Sequence, residues 1–274
     1  MSVCFLENII KKSDFLGCYL NINFTDVLLK SLNSDLRRKK KKEISIYDGF
    51  LISLKDNIIT KDLTTTAASK MLENFFPSYN ATVVEKMVNL GIIILGKLNS
   101  DEFGMGSTNE NSGYKICKSP KNYLYSPGGS SGGCSSSVVS NLSLCSLGSD
   151  TGGSVRLPAS YLNCLGYKPS YGTISRFGLI SFSDSLDTIG MICKNIFDIF
   201  IILKIIKGVD DNDLNTINKN IIFNVKNNNG YKILFPINYI NFLYKKILKN
   251  NFFFLVKKIK LLNIAKIFYS NFPF

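Results

Sequence analysis

The 274-residue chain is 45% hydrophobic, ample for a core, and its formal charge of +13 favours anionic partners such as nucleic acid or acidic protein surfaces without naming one. It contains no histidine, which excludes the Ser-His-Asp triad and every histidine-dependent metal site and leaves lysine or a carboxylate as the base for hydrolytic chemistry. Its seven cysteines are scattered, with no Cys-x-x-Cys pair, and read as reduced thiols rather than zinc or redox ligands.

No basic n-region followed by an apolar h-region opens the chain, and lysines interrupt the apolar stretches near 199–206 and 257–266. No membrane span is expected, and a cytoplasmic location (or an organelle matrix) follows. Residues 1–36 suit one or two surface helices. The block Arg37 to Lys42 is a run of like charge that reads as a solvated loop or helix end, with an RNA-contact patch as the alternative. Gly49 to Leu54 is a short apolar run, a buried strand that would deliver Lys55 to its end. Thr82-x-x-Glu85 has the form of a capping box ahead of Val83, Met87, Val88 and Leu90, and Gly91 closes that helix before a strand at 92–95. Helix and buried strand in alternation predict an α/β domain with helices on a mixed sheet.

The chemical centre is Ser126 to Ala159, SPGGSSGGCSSSVVSNLSLCSLGSDTGGSVRLPA. Glycine pairs flank Ser130, Ser131 and Ser154, and glycine allows both positive φ and close approach of backbone to a ligand. The Gly-Lys-Ser/Thr of a phosphate-binding loop is missing, as is a dinucleotide fingerprint after a strand. A flexible linker would lack the embedded apolar positions Val138, Val139, Leu142, Leu144 and Leu147. Beyond this stretch, Pro169 and its neighbouring glycines mark turns, Arg176 is a partner for an anion or a backbone carbonyl, and 198–209 reads as a helix. Residues 210–229 read as a loop, 230–235 as a strand, and Ile240, Leu243, Tyr244, Ile247 and Leu248 follow helical spacing.

The Ser126–Ala159 stretch resembles the Gly/Ser-rich signature of the amidase signature family of serine amidohydrolases. The resemblance implies an amidase-signature-type fold, with Ser130 as the bridging serine on a cis peptide bond and Ser154 as the acylated nucleophile. Gly49 to Asn57 has the form of the family's Gly-apolar-Lys-Asp-Asn segment, with Leu51 where proline is usual, and implies Lys55 as the base. The absence of histidine independently favours a Ser-Lys arrangement. Gly96 to Ser112, GKLNSDEFGMGSTNENS, narrows the resemblance to the branch of A subunits of glutamyl-tRNA(Gln) amidotransferases, and GYKPSYG, SRFGLI and SLDTIG continue it. Read without the resemblance, Gly96 to Ser112 is a polar loop beyond a strand, and Asp101, Glu102 and Glu110 lack the spacing of a metal site.

That branch implies hydrolysis of glutamine through a glutamyl ester on Ser154, with the N–H groups of Thr151, Gly152, Gly153 and Ser154 forming an oxyanion hole. It implies partnership with the B and C subunits of the amidotransferase. Ammonia would pass to the B subunit, which uses ATP and Mg2+ to convert misacylated Glu-tRNA(Gln); this chain itself would bind no cofactor, metal or membrane. The resemblance is continuous over about residues 45 to 210 and implies a single amidase-like domain over 1–274 with a partial, truncated C-terminal region. The residues that grip the glutamine α-groups lie in the family's later half and are not carried over. Two alternatives stand beside this reading: a stand-alone amidase acting on another carboxamide, and a non-catalytic structural subunit or fragment.

Overall fold

The structure, a computed structural model, describes residues 1–217, 231–236, 246–262 and 265–270. The chain divides into two compact units, Met1–Lys219 and Asn220–Phe274.

The first unit is built on a mixed six-stranded sheet in the order β1-β3-β2-β4-β6-β5, from β1 (Tyr19–Asn21), β2 (Leu51–Lys55), β3 (Ile93–Leu98), β4 (Cys145–Ser149), β5 (Leu165–Tyr167) and β6 (Ile189–Cys193). The three central strands β3, β2 and β4 run parallel, and the outer strands β1, β6 and β5 pair antiparallel. Strands β2, β4 and β6 are buried along their whole length, which explains why they read as apolar or small-residue runs rather than alternating ones. Helices α1 (Ser2–Leu16), α2 (Phe24–Lys39) and α4 (Gly132–Val139) contribute Leu6, Val27 and Val138 to one core layer, which takes Leu51 and Leu95 from the sheet. The next residue of β2, Ile52, faces the other way, beside Met87 of α3 (Thr82–Val88) and Ile202 of α6 (Ile196–Ile206). Helix α5 (Arg156–Leu162) packs on β5. This is the mixed sheet flanked by helices that the sequence predicts.

Two local readings change. Thr82-x-x-Glu85 does not form a capping box: Ala81 is the N-cap, the Thr82 hydroxyl is bonded to Asp210, and Glu85 accepts from Asn80 Nδ2 at 2.8 Å. A tertiary partner from a distant loop has taken the hydroxyl that the local pattern reserves for the helix end. Helix α6 begins two residues before the sequence places it, where Asn195 accepts from the Phe197 N–H at 2.9 Å. The basic block is part of the last turn of α2 and the residues after it. Arg37 grips buried Asp48 with two 2.7 Å bonds, while Lys39 to Lys42 are exposed.

The second unit contains β7 (Tyr231–Pro236) paired parallel with β8 (Ala265–Ser270), and α7 (Lys246–Leu261), whose Val256 packs with Ile233, Phe252, Ile259 and Ile267. The strand reading at 230–235 falls on β7, with Gly230 outside the described residues. Of the predicted helical positions, Ile240, Leu243 and Tyr244 lie outside them too. The same holds for 218–229 of the predicted loop.

Candidate active site

The parallel strands β2 and β4 end side by side, with Leu54 opposite Leu147, so the residues at their carboxyl ends converge in the crevice where open α/β sheets hold their chemistry. Lys55 is the last residue of β2 and Ser149 the last of β4. The Lys55 ammonium nitrogen is fully buried and donates to Ser130 Oγ at 2.7 Å and to Ser149 Oγ at 2.9 Å. No carboxylate is within ion-pair distance of it among the described residues. Burial without a counter-ion pushes its pKa down to about 8, against weaker upward pulls from more distant charges including Asp101, Asp150 and Asp187.

Ser130 stands two residues before α4, and the Gly129–Ser130 peptide is cis. Gly129 has no room for a side chain: a Cβ there would collide with Asp101 Oδ2. The carboxylate of Asp101 is used within its own loop, accepting from Asn109 N at 3.0 Å and Asn111 N at 3.2 Å. No group of three His, Cys, Asp or Glu side chains among the described residues is arranged to hold a metal.

Ser154 lies in the turn between β4 and α5, and its carbonyl accepts from the Ser131 N–H at 3.1 Å, which ties this turn to the residue after Ser130. Buried Asp150 organises the turn from within. Its Oδ1 accepts from Gly153 N at 2.8 Å, its Oδ2 accepts from Val155 N at 3.0 Å and Arg156 N at 3.2 Å, and Arg156 closes over both oxygens. The hydrogen bonds to Arg156 and the backbone outweigh burial and hold the Asp150 carboxyl below its usual range. One consequence bears on the expected oxyanion hole. The Gly153 N–H is already committed to Asp150, whereas those of Thr151, Gly152 and Ser154 meet no acceptor among the described residues. Thr151 is pinned through its hydroxyl to Asp187, whose other oxygen accepts from Phe182 N at 2.8 Å and Ser183 N at 2.9 Å. Arg176 meets both an acid and a carbonyl, binding Asp213 and the carbonyl of Asp184.

Sequence reasoning missed Ser149. Its hydroxyl receives hydrogen bonds from Lys55 and from Asn57 Nδ2 at 3.0 Å, which gives the lysine a second fixed hydroxyl besides that of Ser130. Nothing in the local sequence sets Ser149 apart from the many serines around it; only the pairing of β4 with β2 does.

A family model described as Amidase matches residues 4–268. The chain belongs to the amidase family. A curated relative from Ligilactobacillus salivarius, named as the A subunit of a glutamyl-tRNA(Gln) amidotransferase, is 50% identical over 207 residues, covering 76% of this chain and 42% of that protein. Among solved amidase-family structures, the glutamyl-tRNA(Gln) amidotransferase A subunit of Thermotoga maritima is 34% identical at a TM-score of 0.85, covering 99% of this chain and 58% of that one. The peptide amidase of Stenotrophomonas maltophilia is 25% identical, also at 0.85, with 99% and 58% covered. The chain thus spans less than half the length of the curated relatives it matches.

Proposed function

We propose that this chain supplies the glutamine-hydrolysing site of the A subunit of a glutamyl-tRNA(Gln) amidotransferase, using Ser154 as nucleophile, Ser130 as proton relay and Lys55 as base. The observation that carries the chemistry is the 2.7 Å bond between Ser130 Oγ and a buried lysine held without a counter-ion. Serine attacks a carboxamide only once its proton has somewhere to go. A lysine with a pKa of about 8 is neutral often enough near pH 7 to take that proton, which an ordinary surface lysine is not.

In the proposed sequence the Ser154 hydroxyl proton passes through Ser130 to Lys55 as Ser154 Oγ bonds to the amide carbon of glutamine. Negative charge developing on the amide oxygen falls to the uncommitted N–H groups of Thr151, Gly152 and Ser154, while Asp150 fixes the turn through Gly153. The proton returns by way of Ser130 to the departing nitrogen, ammonia leaves, and water cleaves the glutamyl ester on Ser154. The 50% identity to a relative named as an A subunit supports the choice of glutamine as amide donor and of an amidotransferase as the assembly. The B and C subunits are the partners in this reading, with ATP, Mg2+ and Glu-tRNA(Gln) handled by the former.

The test is intact-protein mass spectrometry after incubation with a glutamine-mimicking electrophile, with and without the added B and C subunits. One adduct, lost in Ser154→Ala, is expected. No adduct on the wild-type chain even with both partners present would remove the catalytic reading and leave a structural role.

A further inference from the structure

Next to the candidate base lies a second buried ionic centre that the proposed reaction does not use. Asp56 follows Lys55 directly, and Lys97 sits on the neighbouring strand β3, opposite Leu54. Both side chains are fully buried, and Lys97 Nζ stands 3.7 Å from Asp56 Oδ1. Burying an aspartate and a lysine is costly unless each has partners, so what they hold in exchange is informative.

Together they fasten the connection from residue 56 to residue 69 from inside. Lys97 donates to the Ile58 carbonyl, to Thr65 Oγ1 at 2.8 Å and to Thr60 Oγ1 at 3.3 Å. Asp56 Oδ2 accepts from Thr66 N at 3.0 Å, from the Thr66 hydroxyl and from Ala68 N at 3.3 Å, and the Asp56 carbonyl accepts from Ala67 N at 3.2 Å. Between these bonds Ala67 and Ala68 adopt φ values of 50° and 57°. Two successive alanines in the left-handed region are unfavourable and persist only where the surroundings impose it.

The imposed shape has a use. The Ala67 carbonyl, turned by that conformation, accepts from the Phe103 N–H at 2.8 Å, and the Ala68 carbonyl accepts from Gly113 N at 2.8 Å. Phe103 leads into Gly104, whose backbone lies over the candidate site: a Cβ at Gly104 would stand 3.7 Å from Ser130 Oγ and 3.8 Å from Lys55 Nζ. We propose that Asp56, with Lys97 as its buried counter-ion, is a positioning residue that holds Ala67 and Ala68 left-handed so that the Ala67 carbonyl seats the Phe103–Gly104 turn over Lys55 and Ser130 while the Ala68 carbonyl ties down Gly113. The inference rests on the site reading above for its functional meaning, but its structural content can be measured without any turnover.

The experiment compares the wild-type chain with Asp56→Asn, Thr66→Val and the triple variant Asp56→Asn/Ala67→Gly/Ala68→Gly. Backbone hydrogen exchange is followed by mass spectrometry, and Ser154 labelling by the electrophile is measured on the same samples. Asp56→Asn is expected to speed exchange across 101–106 while β2 and β4 stay protected, and to slow labelling by up to about 10²-fold, as small misplacements of reacting groups do. Thr66→Val, which removes a single donor to Asp56, shifts both readouts the same way by less and keeps the test open should Asp56→Asn not fold. The triple variant should recover protection at 101–106 and most of the labelling rate, because glycine adopts the left-handed shape unaided. A merely stabilising role for Asp56 predicts instead that exchange in β2 and β4 rises together with that at 101–106, and that the glycines, which relieve left-handed strain and so stabilise the fold, slow exchange everywhere alike. Unchanged exchange at 101–106 in both Asp56→Asn and Thr66→Val, or a loss that the glycines do not restore, overturns the inference. A wild-type chain that takes no label overturns the proposed chemistry instead, and the exchange data still decide whether Asp56 seats the turn.

Discussion

The ends of β2 and β3 carry two lysines that differ in one respect. Lys55 and Lys97 are both fully buried, on adjacent strands, and burial pushes each down to about 8. Lys97 has a carboxylate 3.7 Å away and three oxygen partners along the 58–65 backbone and side chains, so its charge is used to tie a loop. Among the described residues Lys55 meets two hydroxyls and no counter-ion, which in the proposed reaction leaves its amine able to exchange a proton. Depth of burial does not separate a base from a structural cation. What separates them is whether an acid is provided for the charge.

That contrast can be broken by replacing each of the two lysines in turn, and the largest expected effect is on the proposed base. Lys55→Met should lower Ser154 labelling by about 10³-fold or more, the scale of removing a member of a catalytic unit. It should also raise stability by roughly 1–3 kcal/mol, because the unfolded chain no longer gives up a solvated ammonium on folding. Labelling and thermal melts on one preparation measure both. Lys97→Met should do the opposite to stability, destabilising the chain by about 3–5 kcal/mol in denaturant titration, since it leaves Asp56 buried without its counter-ion.

The pH dependence sharpens the comparison further. In the proposed reaction labelling needs neutral Lys55, so its rate should climb about tenfold per pH unit below pH 8 and level off above it. Stability follows a different course, because both lysines have folded-state values below the unfolded value of 10.5. Between about pH 8 and 10.5 the two lysines bind more protons in the unfolded chain than in the folded one, so their contribution to stability should rise with pH there. Above about pH 9 the rise is opposed by the thiols of Cys134, Cys145 and Cys164, whose pKa values burial raises, and of Cys18, raised by its hydrogen bond with Cys117 and by burial. Lys55→Met should reduce that rise without abolishing it, and a rise of undiminished size would mean that Lys55 is not perturbed. The smallest effect on labelling belongs to Ser149→Ala, which removes one of the two hydroxyls on Lys55 and should slow labelling by about tenfold, with a loss of about 1–3 kcal/mol in stability because buried Asn57 Nδ2 also loses its acceptor. A labelling loss as large as that of Lys55→Met would place Ser149 in the proton path itself.

The sequence by itself carried the parts of this molecule whose determinants are close together along the chain. A short apolar run ending in Lys-Asp-Asn announces a buried strand with a lysine at its tip, and Ser130 and Ser154 stand out because the glycines their backbones require stand beside them. The strand–helix alternation that makes a mixed sheet is likewise a matter of local periodicity. Four features had no local sign. Ser149 is one serine among many until β4 pairs with β2; Asp150 reveals that it has claimed the Gly153 N–H only when the turn closes on it. The Thr82 hydroxyl could have capped its own helix, but Asp210 arrived from 128 positions away. Lys97 stood in what reads as a polar loop beyond a strand, and Asp56 read as part of a motif, until β3, extending to Leu98, placed the two 3.7 Å apart. Hydrogen bonds and ion pairs act over about 3–4 Å of space, whatever the separation in sequence. Which polar groups are left free for chemistry was therefore settled only when the tertiary fold had supplied partners to the rest.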